Sequence, residues 1–379
     1  MKMDVTIGVG ALPELKDRAL ATAMPVICIA EDRLSCEPSV RLLLMSLHRH
    51  CGDQKIELFY PPADEKFRSW LEQFPAVNLN ATPVPGAWGW NVKPQAILAL
   101  FERGYGDVLW IDSDILITRN FEKDFRGLPP TIMVLTEEAL YGAHEDPNGL
   151  RARLWGLRVG RSLPFTANTG VLRATTVHAN LLKRWILFLE DAEYREAQGK
   201  DWFERPAHVY GDQDVLTALL ASEEYANVPL KFLRRGKDII QFFGPCGYTF
   251  SERLYNIVYG MPPFIHSQVV KPWLKEDAGG PTDWRQPFNS LYLQLSPYTI
   301  SARKYRRRLP DAEWMNATSF LGKVLRVCGF YYPPLTGLPL AIASDIFSLA
   351  KRFFANEATA IAADLRSGPP LTPRTTVQS

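Results

Sequence analysis

Asp112-Ser113-Asp114 places two carboxylates, one residue apart, at the end of the apolar run Val108–Ile111. An ionised Asp is costly to bury unless it is paired or holds a metal. At a strand exit such a pair can direct two oxygen ligands at one divalent cation. Mg²⁺ and Mn²⁺ both accept carboxylate, phosphate and water oxygens. The bland alternative is a solvated turn. A second acidic pair, Glu31-Asp32, follows the apolar run Pro25–Ala30. Asp212-Gln213-Asp214 opens a helical pattern, where acids also serve as caps. His266 lies in an apolar run that ends at Lys271-Pro272-Trp273. A lone histidine in such a run is ordinarily a core residue.

The surrounding pattern says how these groups are positioned. Pro25–Ala30 is a β-branched run suited to a buried parallel strand. Ser39–His50 has helical spacing, Lys55–Tyr60 reads as strand and Glu65–Phe74 as helix. Lys93–Gly104 is a further helix stopped by glycine, and strand 108–111 follows. Later come strand Thr131–Glu137, a turn entering a strand at Thr166–Thr175, and helices Leu181–Ala192 and Gly211–Ser222. Pro262–Trp273 reads as a strand with its exit. This alternation predicts an α/β fold with a mixed, mostly parallel, Rossmann-like sheet flanked by helices. Ligands of such sheets bind beyond the carboxyl ends of the strands, where both acidic clusters fall.

Val108–Thr118, Asn168-Thr169-Gly170, Gly211–Asp214 and His266…Lys271-Pro272-Trp273 occur in an order that resembles the GT-A-fold glycosyltransferases. The likeness is greatest to the retaining group known as glycosyltransferase family 8, and it spans about Pro25 to Trp273. It implies transfer of a sugar from a nucleotide-diphosphate donor, expected to be a UDP-sugar, to a saccharide or glycolipid acceptor. Asp112 and Asp114 would hold Mn²⁺ or Mg²⁺ across the donor's phosphates, with His266 as third ligand. Lys271 would bind the diphosphate. Ala30, Glu31 and Asp32 would line the nucleoside side, and Ser113 would join the donor-binding residues. Lys93 would face the phosphates, and Asn168 the sugar and acceptor. Asp212, Gln213 and Asp214 would lie beneath the anomeric carbon.

The chain departs from that family in two places. The family's H-x-x-G-x-x-K-P-W is one residue shorter here and lacks the glycine, and Arg33 stands near a position usually polar and uncharged. Retention could proceed through a covalent intermediate or through same-face attack assisted by the leaving phosphate. Two rival readings stay open: an inverting transferase with Asp212 or Asp214 as base, and a catalytically silent sugar-nucleotide-binding protein. Trp88 and Trp90 flank Gly89 and suit sugar stacking as well as lid or core packing.

The 379 residues carry a formal net charge of +2, which gives no reason to expect nucleic-acid binding. Five cysteines with no CxxC pair read as reduced thiols, and residues 1–21 show no secretory pattern, so a cytoplasmic protein is expected. The predicted organisation is a lead-in (1–24), a GT-A domain (25–297), a helical basic and apolar extension (298–360) and a disordered tail (361–379). The extension holds the basic run Arg303–Arg308, then the uncharged stretch Val327–Ser344 with three prolines. It reads either as an appendage packed on the core or as a peripheral contact with the inner face of a membrane.

Overall fold

The computed structural model describes residues 24–138, 146–201, 204–244, 247–274 and 286–346. The expected lead-in lies outside them apart from Met24, as do the last part of the extension and the whole 361–379 tail.

Ten strands follow in chain order: β1 (Val26–Ala30), β2 (Ile56–Phe59), β3 (Val77–Asn80), β4 (Asp107–Ile111), β5 (Ile115–Ile117), β6 (Met133–Glu137), β7 (Ala167–Thr175), β8 (Leu230–Leu233), β9 (Ile239–Gln241) and β10 (Phe264–His266). Seven form one sheet in the order β3-β2-β1-β4-β7-β6-β8. Only β7 runs against its neighbours, β4 and β6; the other pairs are parallel. The α/β class and the mostly parallel sheet are those that the alternation of elements predicts. Crossover helices Glu37–Cys51, Glu65–Leu71 and Val92–Glu102 link the strands of the first half. Asp64 caps the second of these by accepting from Phe67 N at 2.7 Å.

The strands are apolar on both faces because helices cover both. Ile27, Ile29, Leu109 and Ile111 join one core layer, with helix Glu37–Cys51 and the smaller sheet. Val26, Cys28, Val108 and Trp110 face the other, with Ile97, Trp185 and Leu216. The period of two along a strand assigns alternate residues to the two layers.

β5, β10 and β9 make a second sheet, with β5–β10 antiparallel and β10–β9 parallel. Asp112-Ser113-Asp114 is therefore the corner at which the chain leaves the large sheet and enters the small one. Beyond residue 297, Tyr298 and Tyr305 are buried in the first core layer, and the Tyr298 ring lies 5.4 Å from that of Trp273. The near half of the extension is thus packed on the core.

Some elements carry no clear sequence signal. β3, β5, β8 and β9 are only three or four residues long. Helices Leu150–Leu154 and Ala192–Gln198 are also short. Helix Phe250–Tyr259 is longer, but it buries Arg253 and Asn256 and turns its apolar residues outward. The usual reading of amphipathic spacing fails on such a helix.

Candidate active site

A cleft of about 630 Å³ opens at the carboxyl ends of β1 and β4 and at the corner between the two sheets. Its wall includes Ala30, Glu31, Asp32, Lys93, Asp112, Ser113, Asp114, Asn168, Asp212, Gln213, His266 and Lys271. The sequence therefore brings to one place every expected site residue except Asp214. Helices Val92–Glu102 and Asp212–Ala221 both begin at this cleft, so both present the amide-rich end that favours anions.

The corner explains the geometry of Asp112, Asp114 and His266. In the small sheet His266 pairs with Ile115, the residue after Asp114, and Ser267 N donates to Asp114 O at 3.1 Å. The imidazole Nε2 is 3.3 Å from Asp114 Oδ1 and 3.8 Å from Asp112 Oδ2. One ligand atom from each residue lies within 4.8 Å of the others. His266 Nδ1 is buried and finds no partner among the described residues. Two carboxylates and an imidazole so gathered fit a divalent cation of the Mn²⁺ type.

The Asn168-Thr169-Gly170 triplet has three separate tasks. Asn168 Nδ2 donates to Glu138 Oε2 at 2.9 Å and to Gln213 Oε1 at 3.3 Å. Thr169 Oγ1 donates to Asp212 Oδ2 at 3.0 Å and accepts from Lys93 Nζ at 2.8 Å. A side chain at Gly170 would lie 2.7 Å from His266 Cε1, so the glycine makes room for the imidazole. Gly170 O also accepts from Asp112 N at 2.9 Å.

Two lysines neutralise the acids. Lys93 Nζ is 3.3 Å from both the Asp112 and the Asp212 carboxylates. Burial pushes the Lys93 ammonium down, but Asp112 and Asp212 outweigh it and hold its pKa above that of an ordinary lysine. Lys271 Nζ contacts Asp114 and donates to Ser267 O at 2.7 Å. Burial pushes Asp114 up, but Lys271 and then His266 prevail and hold it below the usual carboxylate range. Trp110 Nε1 fixes Asp112 Oδ1 at 2.7 Å.

At the β1 end, Arg33 grips Glu31 with two bonds, Nε at 2.8 Å and Nη2 at 2.9 Å. Ser113 Oγ donates to the same carboxylate at 2.6 Å, which ties the corner to the end of β1. Burial raises Glu31, but these donors outweigh it and leave its pKa lowered. Arg33 thus neutralises Glu31 from the rim. Trp88 lines the cleft, with the Arg195 guanidinium 4.9 Å from its ring.

Asp214 departs from its expected place beside Asp212 and Gln213. It lies off the cleft wall, accepts from Gly211 N at 3.1 Å and is bound by Arg151 Nε at 2.8 Å. The helix periodicity turns residue 214 about 200° away from residue 212. Burial raises its pKa to about 7, against the pull of Arg151 and with a further push from Glu138 and Asp212.

Glu138, Gln268 and Arg151 complete the site without a sequence motif. Buried Glu138 accepts from Asn168, from Gln213 Nε2 at 2.6 Å and from Gln268 Nε2 at 3.2 Å. Its one available signal was its position directly after the predicted strand Thr131–Glu137. Arg151 pairs with both Asp146, at 3.3 Å, and Asp214.

No protein-family model matches the chain, and no curated protein matches it. Among solved structures it is similar to the WbbM bifunctional glycosyltransferase, at 15% identity over 75% of this chain and 51% of that one, with a TM-score of 0.44. The chain thus spans about half of that protein's length. It is also similar to the galactosyltransferase LgtC in complex with donor and acceptor sugar analogues, at 16% identity over 75% and 100% of the two chains, TM-score 0.41. A third similarity is to mouse xyloside xylosyltransferase 1, at 13% identity over 65% and 98%, TM-score 0.39. All three are described as glycosyltransferases.

Proposed function

We propose that this protein is a metal-dependent glycosyltransferase that uses a nucleotide-diphosphate sugar, with a UDP-sugar as the expected donor. The observation that carries the reading is the convergence of Asp112, Asp114 and His266 at the sheet corner, inside the main cleft and beside two lysines.

Asp112, Asp114 and His266 would hold Mn²⁺ or Mg²⁺, which supplies Lewis-acid stabilisation of the departing diphosphate. Lys271, held beside Asp114, adds a positive charge for the phosphate oxygens. Lys93 pairs with Asp112 and Asp212 and holds both carboxylates in place. The apolar wall at Phe59, Val84 and Trp88 suits a flat base or a sugar face, with Glu31 and Asp32 at its polar edge. Glu138 holds Asn168 and Gln213 in place on the cleft wall, on the side where the sugar would sit.

Retention follows from the family resemblance. In the inverting alternative the acceptor needs a carboxylate base, and of the two candidates only Asp212 faces the cleft. Product anomer analysis separates these routes. The primary test is hydrolysis and transfer from a panel of UDP-sugars with and without Mn²⁺. Metal-stimulated release of UDP is expected. Saturable sugar-nucleotide binding with no turnover on any donor would favour the silent binding protein instead. The acceptor, a saccharide or a lipid-linked sugar, is part of the same proposal.

A further inference from the structure

Two helices of this protein are folded inside out. Helix Phe320–Cys328 turns Arg326 and Gly322 inward and leaves Phe320, Leu321, Val324 and Val327 in solvent. Phe320 is 83% exposed, while Arg326, at 1%, donates to Gln294 O and Met315 O. Helix Phe250–Tyr259 does the same. Arg253 is 1% exposed and donates to Pro333 O at 2.7 Å, while Val258 and Tyr259 are 71% and 73% exposed. Both helices pack against the short helix Pro333–Thr336, and the solvent-facing residues of the two are together termed the outer ridge. Between them, Phe330 and Tyr331 adopt left-handed backbone, φ 53° and 54°, and Phe330 is 80% exposed. Bulky residues rarely take that conformation without a constraint that imposes it. Exposed apolar groups on this scale mark a protein or membrane contact.

The charge beside the ridge favours lipid. Over residues 303–332 there are seven Lys and Arg against two acids, Asp311 and Glu313. Arg306, Arg307 and Arg308 are exposed, and the Arg303 guanidinium lies 4.9 Å from the Tyr331 ring, which joins the basic segment to the apolar turn. Lys304 Nζ meets His50 Nε2 at 3.1 Å. Burial, then Lys304 and Arg49, push His50 down to about 4, as a crowded positive environment requires. A second cleft of about 460 Å³ opens between Arg303, Lys304, Tyr331 and Tyr332 and has room for a headgroup. No described helix is long and apolar enough to cross a membrane.

We infer that this ridge docks the protein on an anionic lipid surface, with Phe320, Val327, Phe330 and Val258 entering the interface and Arg306–Arg308 on the headgroups. Each basic residue near such a surface adds about fivefold to partitioning, and apolar side chains at the interface add to it. The ridge shares no residue with the donor cleft, so this inference and the sugar-transfer reading stand or fall separately.

The test is co-sedimentation of the full chain with phosphatidylcholine vesicles, with and without phosphatidylglycerol. Binding to the anionic vesicles is expected to exceed that to neutral ones by about tenfold or more and to weaken with salt. Phe320→Ser with Val327→Ser and Phe330→Ser should cut it about tenfold at an unchanged melting temperature. Arg306→Glu with Arg307→Glu should abolish the anionic preference. Absence of binding to either vesicle, or wild-type binding by the triple serine variant, would overturn the inference. So would a wild-type dimer that the triple variant converts to monomer, because the ridge would then belong to a second copy.

Discussion

The main cleft and the outer ridge both reverse the usual sorting of side chains, in opposite ways. The cleft wall and the network behind it bury acids: Glu31, Asp114 and Asp212 on the wall and Glu138 and Asp214 behind it are each less than a tenth exposed. The ridge exposes aromatics and aliphatics. In the cleft the inversion is compensated within the protein. Lys93, Lys271, Arg33 and Arg151 supply opposite charge to the acids, and amides and hydroxyls supply further hydrogen bonds. Even the buried arginines differ. Arg151 holds two carboxylates, whereas Arg253 and Arg326 hold backbone carbonyls. Burial accordingly lowers Arg253, and burial with Arg303 brings Arg326 down to about 10. A buried charge without a counter-charge costs more than one that is paired. The cleft is a closed electrostatic network, whereas the ridge is a surface suited to an external partner.

This contrast can be broken at graded points. The largest effect is expected from Asp114→Asn, which should lower metal-stimulated turnover about a thousandfold by weakening cation binding. Turnover unchanged from wild type would remove the centre of the site. Next is Arg151→Met, which strands Asp146 and Asp214. Denaturant unfolding should show a loss of about 3–5 kcal/mol at pH 8, smaller below pH 6 where Asp214 takes up a proton. A smaller change is expected from Gly170→Ala, whose methyl presses on His266. Titration of Mn²⁺ should show affinity reduced about 10–100-fold at a nearly unchanged melting temperature. Arg326→Met removes the donors to Gln294 O and Met315 O, the latter keeping only the 3.3 Å bond from Arg303, and strands no opposite charge. Its cost, about 1–3 kcal/mol, should fall below that of Arg151→Met. The reverse order would erase the distinction between paired and carbonyl-bound arginines.

The smallest effect is a pH slope. Asp214 has a folded pKa raised to about 7, above its unfolded value. It therefore contributes stability that is fully present below the unfolded pKa and lost as pH rises through about 7. Unfolding free energy should fall with pH across that window, at most about 1.4 kcal/mol per unit for one proton, and Asp214→Asn should flatten the slope. Asp114 behaves oppositely. Its lowered pKa contributes stability above the ordinary carboxylate range that is lost only in acid.

Much of the cleft's lining was legible in the residues. Val108–Ile111 is a continuous apolar run because β4 is covered on both faces, and a strand of that kind ends at a ligand edge. Asp212-Gln213 opens a capped helix with helical spacing behind it. His266 was legible only through its distance from Lys-Pro-Trp, and Glu138 had no motif. Its role comes from three amides that reach it from Asn168, Gln213 and Gln268. Asp214 was misplaced because proximity in sequence to Asp212 does not set which helix face a side chain occupies. Helix Phe250–Tyr259 was missed because periodicity identifies an apolar face but not the direction in which it points.

The sequence by itself determined the order of the longer strands and helices, the acidic strand ends and the candidate chemistry, because periodicity and local charge are properties of neighbouring residues. Tertiary structure alone decided that β10 pairs with β5. That pairing sets His266 beside Asp114 across more than 150 residues of chain. It also decided which helices bury arginine and expose phenylalanine. Both outcomes depend on what packs against a residue from elsewhere in the chain, and no local pattern encodes that.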